Sequence, residues 1–446
     1  MFTLTQEDAP ITGVAVAFST LRAPRFGPPL RGQLPHLPRC DISSFRRPQK
    51  DSLTAVKIRT HYVRGVPDAT SEVFLDSSSG EPMLSAARQA WLDAQQAGWG
   101  DPVRLHRPGR LAAQALDQAR EVVARAVGAR SDEVIFTGSA AHSNQAAVAG
   151  MALGRRRVGP RIVTTAIDHS SVLAAAAAAG HHDAVEVDHE GHVDVDRWAA
   201  EIATAGTAAA CIQVANHEVG TLQPYAQASE ICQEADVPLI VDATAALGRI
   251  DLSSVTGWSV LTGWAGAFGG PASVGILVIR KNARWRAPYP TDDYQGGRWP
   301  GVPDVPAIYA SAVALDCWRQ SGREVSERQH SLVDQLRAGI AQRVPDVDVA
   351  GDPVRRVPHL LTFSVLYVDG ETLTLELDKA GFAVASGSAC SASSEHPSHV
   401  LAAMGALTHG NVRIGLTWTT TAAEIDRFLA VLPPIVSDIR ATVGAS

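Results

Sequence analysis

The sequence predicts an α/β protein, a large domain on a mostly parallel sheet followed by a small α+β C-terminal domain. Three observations predict it. From Val73 onward, short apolar runs alternate with longer stretches of helical periodicity. The apolar runs are continuous rather than alternating, as strands buried on both faces must be. After Pro306 the alternation gives way to one long helical stretch and a few isolated strands.

Residues 1–70 stand apart as an N-terminal extension. Ala23 to Arg47 is dense in Pro and Arg, has little to bury, and is expected to lack regular structure. The large domain is placed at 71–305. It opens with a short strand at Val73–Asp76 and two helices, Met83 to Ala97 and Leu111 to Val127. Glu133–Thr137 is a buried strand, with a helix from Ser143. Arg161–Thr165 is the next strand, followed by an alanine-rich helix after Asp168-His169-Ser170. Ala208 to Val214, Pro238 to Ala243 and Val274 to Ile279 are further apolar strands, with a helix at Ala226 to Ala235. The C-terminal domain is placed at 306–446. It begins with helix at Ile308 to Arg319 and again at Val325 to Val344, and its strands fall at Leu360 to Tyr367, Phe382 to Ser386 and Val412 to Thr417.

Composition narrows the function classes. Hydrophobic residues make up 46% and charged residues 19%, which suits a globular protein with a large core. No apolar run approaches the roughly 20 residues of a membrane span. A net charge of −7 argues against a general nucleic-acid binder. The five cysteines (Cys40, Cys211, Cys232, Cys317, Cys390) form no CxxC pair, so no metal site is expected, and reduced thiols in a cytoplasm fit best. Lysine is scarce, with only Lys50, Lys57, Lys281 and Lys379.

In a parallel α/β sheet the ligand site lies beyond the carboxyl ends of the strands. His142, His169, Asn216 and Asp242 all fall there. Later in the chain, Cys390 sits in Ala385-Ser386-Gly387-Ser388-Ala389-Cys390-Ser391-Ala392-Ser393-Ser394-Glu395, a stretch of small residues ahead of a short helix at Ser398 to Met404. Small residues without bulky anchors predict a flexible loop, where a thiol is free to attack or to carry sulfur.

The run SGSACSASSEHPSHVLAAMG resembles the catalytic loop of NifS/IscS-type cysteine desulfurases, and the likeness extends from about Val73 to about Leu432. It implies the fold-type I architecture of aminotransferase class V, with a seven-stranded sheet and pyridoxal phosphate as cofactor. Asp242 matches the carboxylate that pairs with the pyridine nitrogen, making the ring an electron sink. His169 matches the imidazole that stacks on the ring and moves protons. Asn216 matches the residue contacting the ring hydroxyl and substrate. Arg413 matches the arginine that grips the substrate carboxylate. Cys390 matches the nucleophile that takes sulfur from cysteine.

The departures are as informative. The family carries a His-Lys pair before a Gly-Pro turn, and that lysine holds the cofactor as a Schiff base. Counting back from Pro271 places Gly266 and Ala267 there. A methyl group forms no imine. Ala140 and Ala141 stand in the phosphate cradle at a helix N-terminus, Trp264 replaces a small hydroxyl residue that binds phosphate, Ala245 replaces a glutamine, and Val302 replaces a threonine lent by a second subunit.

The expected function is therefore a cysteine desulfurase-like sulfur-transfer protein, degenerate in cofactor chemistry, with Cys390 as persulfide carrier. The alternative is an active enzyme that turns cysteine into alanine plus persulfide with noncovalently held cofactor, and His142 or His169 as base. The resemblance implies a homodimer, or a heterodimer with an active paralogue, and a sulfur-acceptor protein as partner.

Overall fold

The computed structural model describes residues 72–97, 100–386, 397–442 and 444. The N-terminal extension and Cys390 lie outside the described residues. In chain order the elements are β1 (Val73–Phe74), α1 (Ser85–Gln96), α2 (Arg107–Ala126), β2 (Val134–Thr137), α3 (Ala140–Arg155), β3 (Arg161–Thr165), α4 (Ser170–Ala179) and β4 (His181–Val185). There follow α5 (Val195–Ile202), β5 (Thr207–Gln213), α6 (Tyr225–Glu234), β6 (Leu239–Asp242), β7 (Val260–Trp264), β8 (Gly275–Ile279) and α7 (Val305–Arg343). The last part holds β9 (Val347–Ala350), β10 (Leu360–Val365), α8 (Gly370–Lys379), β11 (Phe382–Ala383), α9 (His399–Ala403), β12 (Asn411–Gly415) and α10 (Ala422–Thr442).

Seven strands form one sheet in the order β2-β8-β7-β6-β5-β3-β4. Only β8 runs against its neighbours, so the sheet is mostly parallel. Most of its strands are buried on both faces, which is why β2, β3, β5, β6 and β8 read as continuous apolar runs. All seven positions of β5 are buried. Successive side chains enter opposite cores, as the two-residue period of a strand requires. Leu239 and Val241 join one cluster with Trp198, Trp258 and Phe268, while Ile240 and Val260 join the other with Met151 and Ile162.

A second, three-stranded antiparallel sheet has the order β12-β10-β9. It packs with α8, α10 and the end of α7 around Phe363, Phe382 and Phe428. The opening strand β1 pairs in parallel with β11, so the first described residues join the C-terminal elements rather than the large sheet.

The long helix expected after Pro306 is α7, unbroken over 39 residues. Within α7, Gly322 allows close approach, since a Cβ there would stand 3.0 Å from the Trp318 ring. Two local expectations are corrected. The strands β4, β7 and β9 escape a reading of apolar runs. β4 (HHDAV) lies at the sheet's edge and is largely solvated. β7 (VLTGW) is central but carries Thr and Gly. The third helix starts at Ala140 rather than Ser143, because Ser139 caps it by accepting the His142 N–H.

Candidate functional site

The site forms where β5, β6 and β7 end. Asp242 closes β6. Its Oδ1 accepts the Thr244 N–H at 2.8 Å, and its Oδ2 accepts from Asn144 Nδ2 at 3.1 Å. Asn144 sits in the second turn of α3 and is almost fully buried. Its Nδ2 also donates to Ser171 Oγ at 3.0 Å, and its Oδ1 accepts from the Thr262 hydroxyl at 2.6 Å. One side chain thus ties α3, α4, β6 and β7 together at Asp242.

The network fixes His169. Its Nδ1 accepts the Ser171 N–H at 3.1 Å and lies 2.8 Å from Ser171 Oγ. An Nδ1 that accepts a backbone N–H leaves the proton of the neutral ring on Nε2. Burial holds the His169 pKa below the ordinary histidine value, against the pull of the Asp242 carboxylate. His169 is therefore a neutral ring oriented by its own helix start.

Its aromatic neighbour is His217, at 4.9 Å between ring centroids with the planes near perpendicular. Asn216 lies elsewhere. It is fully buried, its Oδ1 accepts the Glu218 and Val219 N–H groups, and its Nδ2 donates to the Ile167 carbonyl. The structure uses Asn216 to hold its own turn and presents His217 beside His169. Burial pushes the His217 pKa well below the usual value.

Behind these rings, Asp168 is buried with Oδ2 accepting the Thr165 N–H at 2.7 Å, and burial raises its pKa to about 7. His399 Nε2 donates to the Asp168 carbonyl at 3.0 Å, and the Ser398 hydroxyl donates to buried Glu218 Oε2 at 2.6 Å. Ser398 caps α9, whose Val400 and Leu401 pack on Ile167 and Val219. On the other side, Ala385 and Arg413 exchange backbone hydrogen bonds of 3.2 and 2.7 Å. Both flanks of the segment holding Cys390 are therefore fastened at this site. Arg413 is buried on β12, and its Nε donates to Ser78 Oγ at 2.7 Å. His142 stands apart, exposed, with its ring 5.6 Å from Trp299.

The turn after β7 differs in kind. Ala267 presents a methyl group, and its carbonyl accepts from the buried Arg249 guanidinium at 2.8 Å. Arg249 is paired with Glu81 at 2.6 Å, and Glu81 also accepts the Trp418 N–H. The Trp264 indole donates to the Ala272 carbonyl at 2.7 Å, folding back over the turn. Among the described residues there are two lysines. Lys281 follows β8, whose Gly275 end pairs with Trp264, so it lies past the opposite end of that strand. Lys379 ends α8 in a pair with Glu376. The turn offers no amine, so these residues do not fit pyridoxal phosphate held as a Schiff base.

Among the described residues, Glu190, His192 and Asp352 come close enough to suggest a metal. Arg355 already occupies the cluster. Its Nε donates to Asp352 at 3.1 Å, and its NH2 lies 3.1 Å from His192 Nε2. It reads as an ion-pair network.

Asn144, His217, Glu218 and Ser398 are the site residues that sequence reasoning misses. A signal existed for two of them. Asn144 is a short polar residue within an alanine-rich helix, and His217 directly follows Asn216 in Ala-Asn-His-Glu-Val-Gly.

Comparison with known proteins gives a consistent picture. Residues 73–428 match the family described as aminotransferase class-V. The chain is 32% identical over 377 residues to cysteine desulfurase IscS of Dictyoglomus turgidum, covering 83% of this chain and 95% of that protein. It is 34% identical over 401 residues to an IscS-like cysteine desulfurase of Mycobacterium tuberculosis, covering 84% and 99%. Among solved structures, a NifS-like protein superposes with a TM-score of 0.76 at 25% identity, over 82% of this chain and all of the other.

Proposed function

The chain belongs to aminotransferase class V, and from that premise we propose a cysteine desulfurase-like sulfur-transfer protein that has given up its own cofactor chemistry. The observation that carries the reading is the Ala267 methyl at the turn after β7, with the carbonyl beneath it bonded to Arg249. In this reading Cys390 receives sulfur already at the persulfide level from a donor persulfide. The Cys390 thiolate attacks the donor's outer sulfur, the donor's S–S bond breaks, a new S–S bond forms on Cys390, and the donor leaves as a thiolate. No external oxidant or reductant is needed, because the sulfane sulfur is passed on unchanged.

Two features support this use of the loop. Ala385 is fastened to Arg413, and Ser398 to Glu218, the residue after His217. Cys390 lies five residues beyond Ala385, a reach of about 17 Å at most. The protein works as a homodimer, or with an active paralogue, in the cytoplasm, and hands sulfur to an acceptor protein.

The test is direct. The purified protein is mixed with pyridoxal phosphate and L-cysteine, and absorbance and alanine are followed. No aldimine band and no alanine are expected. A small-molecule persulfide should then add the mass of one sulfur atom to the wild-type chain and none to Cys390→Ser. Alanine released by the wild-type protein would replace this reading with an active enzyme holding its cofactor noncovalently. The Asp242–Asn144–His169 network, centred on buried Asn144, is the observation that favours that alternative.

A further inference from the structure

The Trp264 indole does more than fill the place of a small hydroxyl. A Cβ built on Gly266 would meet its ring atoms at 2.3, 2.5 and 2.7 Å, inside any tolerable contact. On another side the ring reaches the loop before α1, where a Cβ on Gly80 would stand 3.4 Å from its edge. The ring is pinned by its hydrogen bond to Ala272. Residue 266 is thus glycine because the indole occupies the volume a side chain would need. The two positions form an interlocked pair.

The pair sits one strand from a helix start where a single side-chain hydroxyl, that of Ser139, keeps a proton to donate. Trp264 pairs in register with Gly275, and a Cβ on Gly275 would touch Ser139 O and Thr137 Oγ1 at 2.2 Å. The indole's strand is therefore one strand from the N-terminus of α3. There the Ser139 hydroxyl oxygen accepts the His142 N–H, the Thr137 and Ser143 hydroxyls bond each other at 2.7 Å, and positions 140 and 141 are alanine. A phosphate dianion arriving here would still find the Ser139 O–H and the first-turn N–H groups of α3, but on the β7 side it would find an indole whose one N–H is already given to Ala272. On that side it would lose water without a replacement hydrogen bond, and that loss is steep for a charged group.

We infer that Trp264 is a specificity residue that closes this end of the site to phosphate esters, leaving it open only to small ligands without a phosphate. The inference rests on the reading that the chain has abandoned its family cofactor, and it names the side chain that enforces the loss. Removing the missing amine as a variable isolates it.

Ala267→Lys supplies a reporter amine, alone and combined with Trp264→Ser or Trp264→Phe. Aldimine absorbance is titrated with pyridoxal phosphate and, separately, with pyridoxal, which lacks the phosphate. The Trp264→Ser/Ala267→Lys protein should reach half-saturation with pyridoxal phosphate at a concentration at least about tenfold lower than Ala267→Lys, the worth of one hydrogen bond to a charged group. The phenylalanine double variant should follow Ala267→Lys, and pyridoxal should not distinguish the three. Equal titrations with pyridoxal phosphate, or no aldimine in any variant, would overturn the inference. Circular dichroism checks that each variant is folded. A second measurement needs no cofactor. Gly266→Ala should lower the melting temperature of the Trp264 protein but not of Trp264→Ser, and equal losses in both would dissolve the interlock. The broader reading fails separately, if the unaltered protein binds pyridoxal phosphate and releases alanine from cysteine.

Discussion

The two halves of the site are built differently. At the end of β6, Asp242, Asn144, Ser171, Thr262 and His169 form a closed set of hydrogen bonds. One strand over, at the turn after β7, the positions that resemble cofactor contacts are Trp264, Gly266 and Ala267. The difference follows what each residue does for the fold. Asp242 holds the Thr244 N–H and Asn144, and Asn216 holds two N–H groups of its own turn. Removing either strands buried polar groups whatever the ligand. A Schiff-base lysine or a phosphate-binding hydroxyl holds nothing but the cofactor. On the proposed reading such residues are free to change, while dual-purpose residues persist. Asp242 and Asn216 thus each have a structural role that does not depend on a cofactor.

The largest test of this contrast is Asn144→Ala. It strips Asp242 Oδ2 and the Thr262 hydroxyl of a buried partner and unties four elements, so a loss of about 3 kcal/mol is expected in urea unfolding. A loss below about 1 kcal/mol would mean the network is not structural, and its survival would then need a ligand.

Asp168 sharpens the contrast through pH. Its folded pKa of about 7 lies above the ordinary 3.8 because of burial. The folded chain therefore keeps a proton that the unfolded chain gives up. Stability from this group is complete below about pH 4 and is lost as pH rises through 7. The full shift corresponds to about 4 kcal/mol, and water entry on ionisation should roughly halve it, to about 2 kcal/mol. Asp168→Asn stays neutral, so its stability relative to wild type should climb by that amount between pH 4 and pH 8. Parallel curves would show that Asp168 ionises without penalty.

Much of this was legible in the sequence. The continuous apolar strands gave the sheet, because burial on both faces demands it. Asp242, His169 and the Ala267 substitution were readable from their positions relative to strand ends and to Pro271. What escaped depended on side-chain direction. Asn216 and His217 are neighbours, and a motif does not say which one turns into the site. Asn144 acts across nearly a hundred residues of chain to reach Asp242. Trp264 was visible as a replacement, but its hold on Gly266 needed coordinates.

Ser398→Ala comes next in size. It removes the cap of α9 and the hydrogen bond to buried Glu218 Oε2, whose other oxygen has only His217 Nε2 at 3.8 Å. A loss of about 1.5 kcal/mol is expected. Persulfide loading of Cys390 should also slow, since one flank of its loop is no longer held beside the histidines. Unchanged loading would detach the loop's function from its anchorage.

The smallest effects belong to the rebuilt side, and there the contrast is most exposed to failure. Ala141→Ser and Ala267→Ser each add one oxygen at a partly exposed position. Neither touches a side-chain hydrogen bond of the fold. The Arg249 guanidinium holds residue 267 through its carbonyl, which any side chain leaves in place. Both variants should therefore unfold within about 0.5 kcal/mol of wild type, as surface changes usually do. A loss above about 1.5 kcal/mol for Ala267→Ser would mean the methyl group is itself a packing element. The turn would then have been remade for stability, and the loss of cofactor contacts would be a by-product of that repacking rather than a release from constraint.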